Sequence, residues 1–183
     1  RLVLVAYKEE RRLDLWAFSN RRHGRIASYP ILAASGGIGP KRREGDRQVP
    51  EGFYRLTALN PRSRFHLSIR VDYPNAEDIA RSEISREAMG GDIYLHGAAV
   101  SIGCLAMGDP AIEEIFSLVA TVGLGNANLL ICPCDLARRP MPDRRPPPRR
   151  WRAGAAATGR ARAAPSGRLG AQILRLCVWC QQY

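Results

Sequence analysis

Apolar side chains recur along the first three-quarters of the chain in short runs broken by turn residues. Leu2-Val3-Leu4-Val5-Ala6-Tyr7 is a continuous run of strand length. Leu13-Asp14-Leu15-Trp16-Ala17-Phe18 partly alternates, with turn signals at Ser19-Asn20 and His23-Gly24. Arg25–Tyr29 predicts a third strand, ended by Pro30, and three strands at this spacing predict an antiparallel meander. Phe53–Leu59 is extended again and Asn60-Pro61 reads as a turn. Phe65–Val71 alternates apolar and polar with period two, the clearest strand signal in the chain. Asn75–Glu87 is polar and predicts one or two helical turns, and Ile93–His96 predicts a short strand.

A different period follows. Asp109-Pro110 reads as a helix start, with Asp as a cap and Pro at the first helical position. Ile112, Ile115, Phe116 and Val119 then fall on one helical face, and Gly123 is the expected stop. Asn128–Ile131 predicts a last strand. Residues 35–52 hold five glycines and two prolines, too long and too specific for a bare connector. The pattern predicts a mainly β domain over residues 1–136 with a single substantial helix.

After Leu136 the periodicity stops. Residues 137–183 are rich in Arg, Ala, Pro and Gly, which predicts a disordered tail. Composition sharpens this division. The formal charge of +11 splits into +1 for residues 1–136 and +10 for the rest. The basic pI therefore belongs to the tail, and the domain itself gives no electrostatic reason to bind nucleic acid. All the tail's basic residues are Arg, as a shifted reading frame in a GC-rich gene would produce. Three readings follow: a solvated extension, a binder of anionic polymers, or a non-native end, which is the reading favoured here. No window holds 18 uninterrupted apolar residues, so no spanning helix is expected. The chain starts at Arg1 within an apolar run and shows no signal peptide, so a fragment or processed chain is expected.

The candidate chemistry lies between the predicted strand and the helix. His96-Gly97 ends the strand, and Cys104 follows eight residues later in Ser101-Ile102-Gly103-Cys104. A loop of that length can bring imidazole and thiol together, and an imidazole can take the thiol proton to give a nucleophile. Gly103 permits a tight turn, and amide N–H groups there could face an oxyanion. From spacing alone a structural Cys and His remain the commoner explanation.

These residues are similar to the active-site motif of the L,D-transpeptidase catalytic domain (YkuD type), within it most closely to the YafK-like murein subgroup. The resemblance extends to Gly39-Pro40-Lys41, to Gly45–Tyr54 and to Tyr73-Pro74-Asn75-Ala76, and covers roughly residues 2–135. It implies a β-sandwich or barrel with a helix after the nucleophile loop, and needs no metal or cofactor. It implies Cys104 as nucleophile, His96 as base, Gly103 and Cys104 N–H groups toward the oxyanion, and Ser101 holding the loop. The implied substrates are peptidoglycan stem peptides, with an amine, a wall-attached protein or water as acceptor, in the periplasm or cell envelope. The family's usual Arg after the cysteine is replaced by Leu105-Ala106-Met107, so hydrolysis of the same kind of bond stays open. Gly97, Lys41, Arg47 and Tyr54 are the candidate substrate-binding residues, the two cations because they can pair with carboxylates. The reading from a different class is a non-catalytic basic binding protein.

Other features carry less. His66 sits on the polar phase of its strand and predicts a solvent-facing or hydrogen-bonded residue. Gly37-Ile38-Gly39-Pro40-Lys41 lacks the ending and spacing of a phosphate loop. Cys132, Cys134, Cys177 and Cys180 superficially resemble two zinc-ligand pairs, but the first pair has one intervening residue and the gap between pairs is long.

Overall fold

A computed structural model describes residues 1–138. Its strands are β1 (Leu2–Tyr7), β2 (Arg12–Phe18), β3 (His23–Pro30), β4 (Ala33–Ala34), β5 (Gly52–Ser63), β6 (His66–Val71), β7 (Tyr94–His96), β8 (Leu105–Ala106) and β9 (Ala127–Cys132). Helices α1 (Ala76–Arg81) and α2 (Arg86–Met89) are short, and α3 (Asp109–Val122) is the long one. The strands form one nine-stranded sheet in the order β3-β2-β1-β9-β5-β6-β7-β8-β4.

The uninterrupted apolar run of β1 has a topological cause. β1 lies inside the sheet, antiparallel to β2 and parallel to β9, and is covered on both faces. Leu2, Leu4 and Ala6 face the main core, whereas Val3, Val5 and Tyr7 pack with Leu130, Cys132, Cys134 and Leu136 on the other side. β5 joins the two halves of the sheet. Its first residues pair with β9 and its later residues with β6, with register irregularities at Leu56/Ala58 and Asn60/Ser63. Such irregularities bend a strand, and the sheet curls here into a half-barrel. The buried face of α3, Ile112, Ile115 and Val119, fills the hollow against Leu95, Leu105 and Leu129. No helix among the described residues is long and apolar enough to cross a membrane.

The meander, the paired helical turns and the long helix stand where the apolar pattern puts them. Four details differ. His23-Gly24 is not a turn ahead of β3 but its first two residues, paired with Phe18 and Ala17. Asn60-Pro61 does not end a strand, because β5 runs on through it to Ser63 and turns only before His66. Asp109 is not the cap of α3. Gly108 holds that position, and the Asp109 carboxylate instead accepts the Ala98 N–H. β4 and β8 are two-residue strands paired with each other and leave no periodic signal. The Arg-rich tail from residue 139, its three readings, and Cys177 and Cys180 lie outside the described residues. Among the described residues no cluster of three or more potential metal ligands occurs, and Cys132 and Cys134 are buried.

Candidate active site

His96 ends β7 and Cys104 immediately precedes β8. These two strands are parallel, with Leu95 opposite Leu105 and His96 opposite Ala106. A spacing of about 4.8 Å between strands and an offset of two residues of about 3.3 Å each sets the Cα atoms of His96 and Cys104 roughly 8 Å apart. Residues paired across a ladder share a face of the sheet, so His96 and Ala106 lie on one.

Two contacts hold the imidazole. Its ring lies 4.7 Å from that of Phe65, between centroids. Its Nδ1 lies 2.6 Å from the Gly97 carbonyl. A carbonyl only accepts, so the proton sits on Nδ1 and Nε2 keeps its lone pair. Burial lowers the pKa of His96, partly offset by that hydrogen bond, so the neutral form dominates at neutral pH. Gly97 cannot carry a side chain, since a Cβ there would stand 2.5 Å from Asp109 Oδ1 and 2.7 Å from the Phe65 carbonyl oxygen.

The thiol is also partly enclosed. Burial raises its pKa, a backbone hydrogen bond at Tyr94 and the charge of Lys41 lower it, and Asp92 opposes them. Cys104 Sγ lies 3.6 Å from the Asp92 carbonyl oxygen, toward which it donates. A thiol raised in pKa near an imidazole lowered in pKa is an uncharged pair at rest, not a preformed ion pair. Chemically it favours proton transfer during attack.

Two serines shape the turn ahead of the thiol. Ser101 Oγ accepts from the Cys104 N–H at 3.0 Å and donates to the Cys104 carbonyl at 2.6 Å. Ser35 Oγ accepts from the Gly103 N–H at 2.6 Å. The two amides read from the sequence as oxyanion donors are therefore both engaged with serine hydroxyls. Gly103 has φ +100, in the region that favours glycine, and this turns its N–H toward Ser35.

The Gly-rich loop is fixed from beneath. Lys8 Nζ donates to the carbonyls of Gly39 and Val49, each at 2.8 Å, and to Glu51 Oε1 at 3.0 Å. Glu51 Oε1 also accepts the Gly39 N–H. Gln48 Oε1 accepts the Gly37 N–H at 3.2 Å.

The candidate substrate-binding residues separate on inspection. Arg47 is exposed, at φ +55, and makes no ion pair among the described residues. Lys41 is 8% exposed and donates to Asp46 Oδ1 at 2.8 Å and to the Arg43 carbonyl at 2.7 Å. It therefore braces its own loop, and its charge is felt at the thiol. Tyr54 is a correction. It is 1% exposed, and its hydroxyl donates within the core toward the Glu51 carbonyl and Asp78, so it lines no groove. Its position on the inward phase of β5 explains the burial. His66 is exposed and hydrogen-bonded as expected, with Nε2 2.6 Å from Glu113 Oε1. Sequence reasoning missed Ser35 and Phe65, because each reaches the site from a distant segment, and it gave Asp109 only a capping role. Ile102, which directly precedes the Gly103-Cys104 pair, is 79% exposed, and Val100 beside it is also exposed.

Several known proteins are similar to this chain. The curated protein named "Putative L,D-transpeptidase YafK" from Escherichia coli K12 is 43% identical over 120 residues, covering 64% of this chain and 47% of its own length. The chain thus spans about half of that relative. The helical cell shape determining protein Pgp2 of Campylobacter jejuni shares the fold, with a TM-score of 0.57 at 19% identity over 71% of this chain and 46% of its own. Bd1075 of Bdellovibrio bacteriovorus aligns with a TM-score of 0.53 at 25% identity, over 73% of this chain and 48% of its own. The family model described as the L,D-transpeptidase catalytic domain matches residues 1–129, and the chain belongs to that family.

Proposed function

We propose that the protein catalyses cysteine-dependent acyl transfer on peptidoglycan stem peptides, in the cell envelope. The observation that carries this reading is the Nδ1–Gly97 hydrogen bond, which leaves Nε2 of a neutral His96 as a base on the strand beside Cys104. His96 takes the thiol proton as Sγ attacks a stem-peptide carbonyl. The tetrahedral intermediate collapses to a thioester on Cys104, and the departing amine takes the proton back from His96. A second amine then attacks the thioester, the C–S bond breaks, and the amine's proton passes through His96 to the departing Cys104 sulfur, which yields a crosslink or an attached protein. Ser101 keeps the nucleophile turn in shape through both of its bonds to the Cys104 backbone. Arg47 and Lys41 are the candidates for holding a substrate carboxylate, Arg47 the freer of the two because it is exposed and makes no ion pair among the described residues.

One observation favours water as an alternative acceptor. Leu105, Ala106 and Met107, which follow the nucleophile, are all buried and present no charged group to a second peptide. Hydrolysis of the same bond is the second reading. Incubating the protein with disaccharide-tetrapeptides and resolving the products by liquid chromatography and mass spectrometry separates them. Crosslinked dimers mark transfer, shortened monomers mark hydrolysis, and neither product above a Cys104→Ala control would overturn the proposal.

A further inference from the structure

We infer that the hydroxyl of Ser35 is a catalytic donor to the oxyanion formed when Cys104 attacks, resting on the acyl-transfer reading above. The argument starts from the strand order. β8 lies between β7 and β4, so the nucleophile at its head has one neighbouring strand on each side. The β7 side supplies His96. On the β4 side, Ala33 pairs with Ala106 and Ala34 with Leu105. Carried one residue further, this antiparallel register sets Ser35 opposite Cys104. Its Oγ accepts the Gly103 N–H at 2.6 Å, which fixes the hydroxyl beside the nucleophile turn.

The hydrogen-bond capacities decide which serine can serve. A hydroxyl has one proton to donate and two lone pairs. Ser101 uses its proton on the Cys104 carbonyl and a lone pair on the Cys104 N–H. It has no proton left for a substrate. Ser35 uses only a lone pair, on Gly103, and no described residue accepts its proton. An N–H donated to an oxygen also polarises that oxygen's own O–H, making it a stronger donor.

The hydroxyl is supported as an oxyanion donor must be. The turn that follows it is pinned by Gln48, whose Oε1 accepts the Gly37 N–H, and a Cβ on Gly36 would collide with the Gln48 side chain. Ser35 itself is neither fully exposed nor buried, so a bound carbonyl oxygen can reach it. In the step, Sγ forms a bond to the carbonyl carbon and the C=O π pair moves to oxygen. The Ser35 O–H donates to that oxygen without transferring its proton. The thiol proton goes to His96 on the opposite side, and from there to the leaving group. Base and oxyanion donor thus flank the nucleophile from different strands.

Two reactions of the same thiol test this in the full chain. Alkylation of Cys104 by iodoacetamide needs a thiolate but makes no oxyanion. Acylation by the p-nitrophenyl ester of N-acetyl-L-alanine, whose acyl group has the L configuration, needs both and releases nitrophenolate in a burst. Ser35→Ala is expected to slow the acylation burst by about 100- to 1000-fold, the usual cost of one oxyanion donor, and to leave alkylation within about twofold, as reading only the thiolate requires. Ser35→Thr, which keeps the hydroxyl, should retain most of the acylation, whereas isosteric Ser35→Val should not. This pair isolates the proton even if Ala perturbs folding. Acylation unchanged or faster in Ser35→Ala overturns the inference, the faster rate meaning that the serine blocks the Gly103 amide. An equal fall in both reactions overturns it too, because the serine would then only position the thiol. A wild-type protein that alkylates but never acylates at Cys104 would instead sink the acyl-transfer reading on which the inference rests.

Discussion

The two halves of the sheet are built by different means. Around β1, β2 and β9 the strands have six or seven residues, and β1 is buried on both faces. Apolar area fixes this half. Around β7, β8 and β4 the strands have three, two and two residues, too short to hold themselves by pairing alone. Side-chain tethers to backbone fix this second half: Ser101 on Cys104, Ser35 on Gly103, Asp109 on Ala98, and the Gly97 carbonyl on His96. The connections also visit left-handed backbone, at Ala98 with φ +56 and at Gly103 and Gly108. The nucleophile and base thus sit where polar contacts, added to the burial of Leu95 and Leu105, set the geometry. Such a region can be tuned one hydrogen bond at a time while the other half keeps the chain folded.

The sharpest way to separate the halves is to remove chemistry without removing packing. His96→Gln keeps an amide near the Gly97 carbonyl but loses the base. Acylation of Cys104 should fall by roughly 10²- to 10⁴-fold, with little change in the melting temperature, as followed by nitrophenolate release and circular dichroism. A matching loss of fold and rate would erase the distinction.

Removing Glu51 attacks the joint between the halves. Lys8 leaves the end of β1 to reach Glu51 and the Gly-rich loop, and both side chains are nearly excluded from solvent. Glu51→Ala strands a buried cation, which costs about 3–5 kcal/mol in comparable cases. Both urea stability and activity should drop, because the loop carries Lys41, Arg47 and the support of Ser35. Leu129→Ala works in the scaffold alone. Its cost should be about 2–5 kcal/mol in urea unfolding, while the acylation rate of the folded fraction stays as in wild type.

Gly97→Ala should be smaller in stability, about 1–3 kcal/mol for an overpacked site, yet should shift the imidazole and slow acylation. It reverses the Leu129→Ala outcome and so sharpens the contrast. The gentlest probe is pH. Burial raises the Cys104 pKa, so its thiolate is gained only as pH rises above the ordinary thiol value of about 8.5. Burial lowers the His96 pKa, so imidazolium is already lost near neutrality. The iodoacetamide rate should therefore keep climbing through pH 8–10, and a plateau below pH 7 would mean a preformed thiolate–imidazolium pair.

The same division governs what the sequence could reveal. Continuous or alternating apolar runs made β1, β2, β3, β6 and α3 legible, since these elements bury what the pattern marks. Residues 33–34 and 105–106 carry no such signal, because a two-residue strand has no period. His96 and Cys104 stood out by spacing and by family resemblance. Ser35 did not, since its partner Gly103 is 68 positions away and only the β4–β8 pairing unites them. Tyr54 misled for the opposite reason. A Tyr in a motif-rich stretch reads as a candidate substrate-binding residue, whereas the phase of β5 turns it inward.

The central claim is that Cys104 carries a covalent acyl group while His96 handles its proton. The direct measurement is acid quenching of the full chain during reaction with a disaccharide-tetrapeptide, followed by intact-protein mass spectrometry and peptide mapping. A mass increase equal to the transferred acyl fragment, mapped to Cys104, labile to hydroxylamine and missing in Cys104→Ala, is the predicted result. Turnover without any adduct on Cys104, or an adduct that persists in Cys104→Ala, would contradict it.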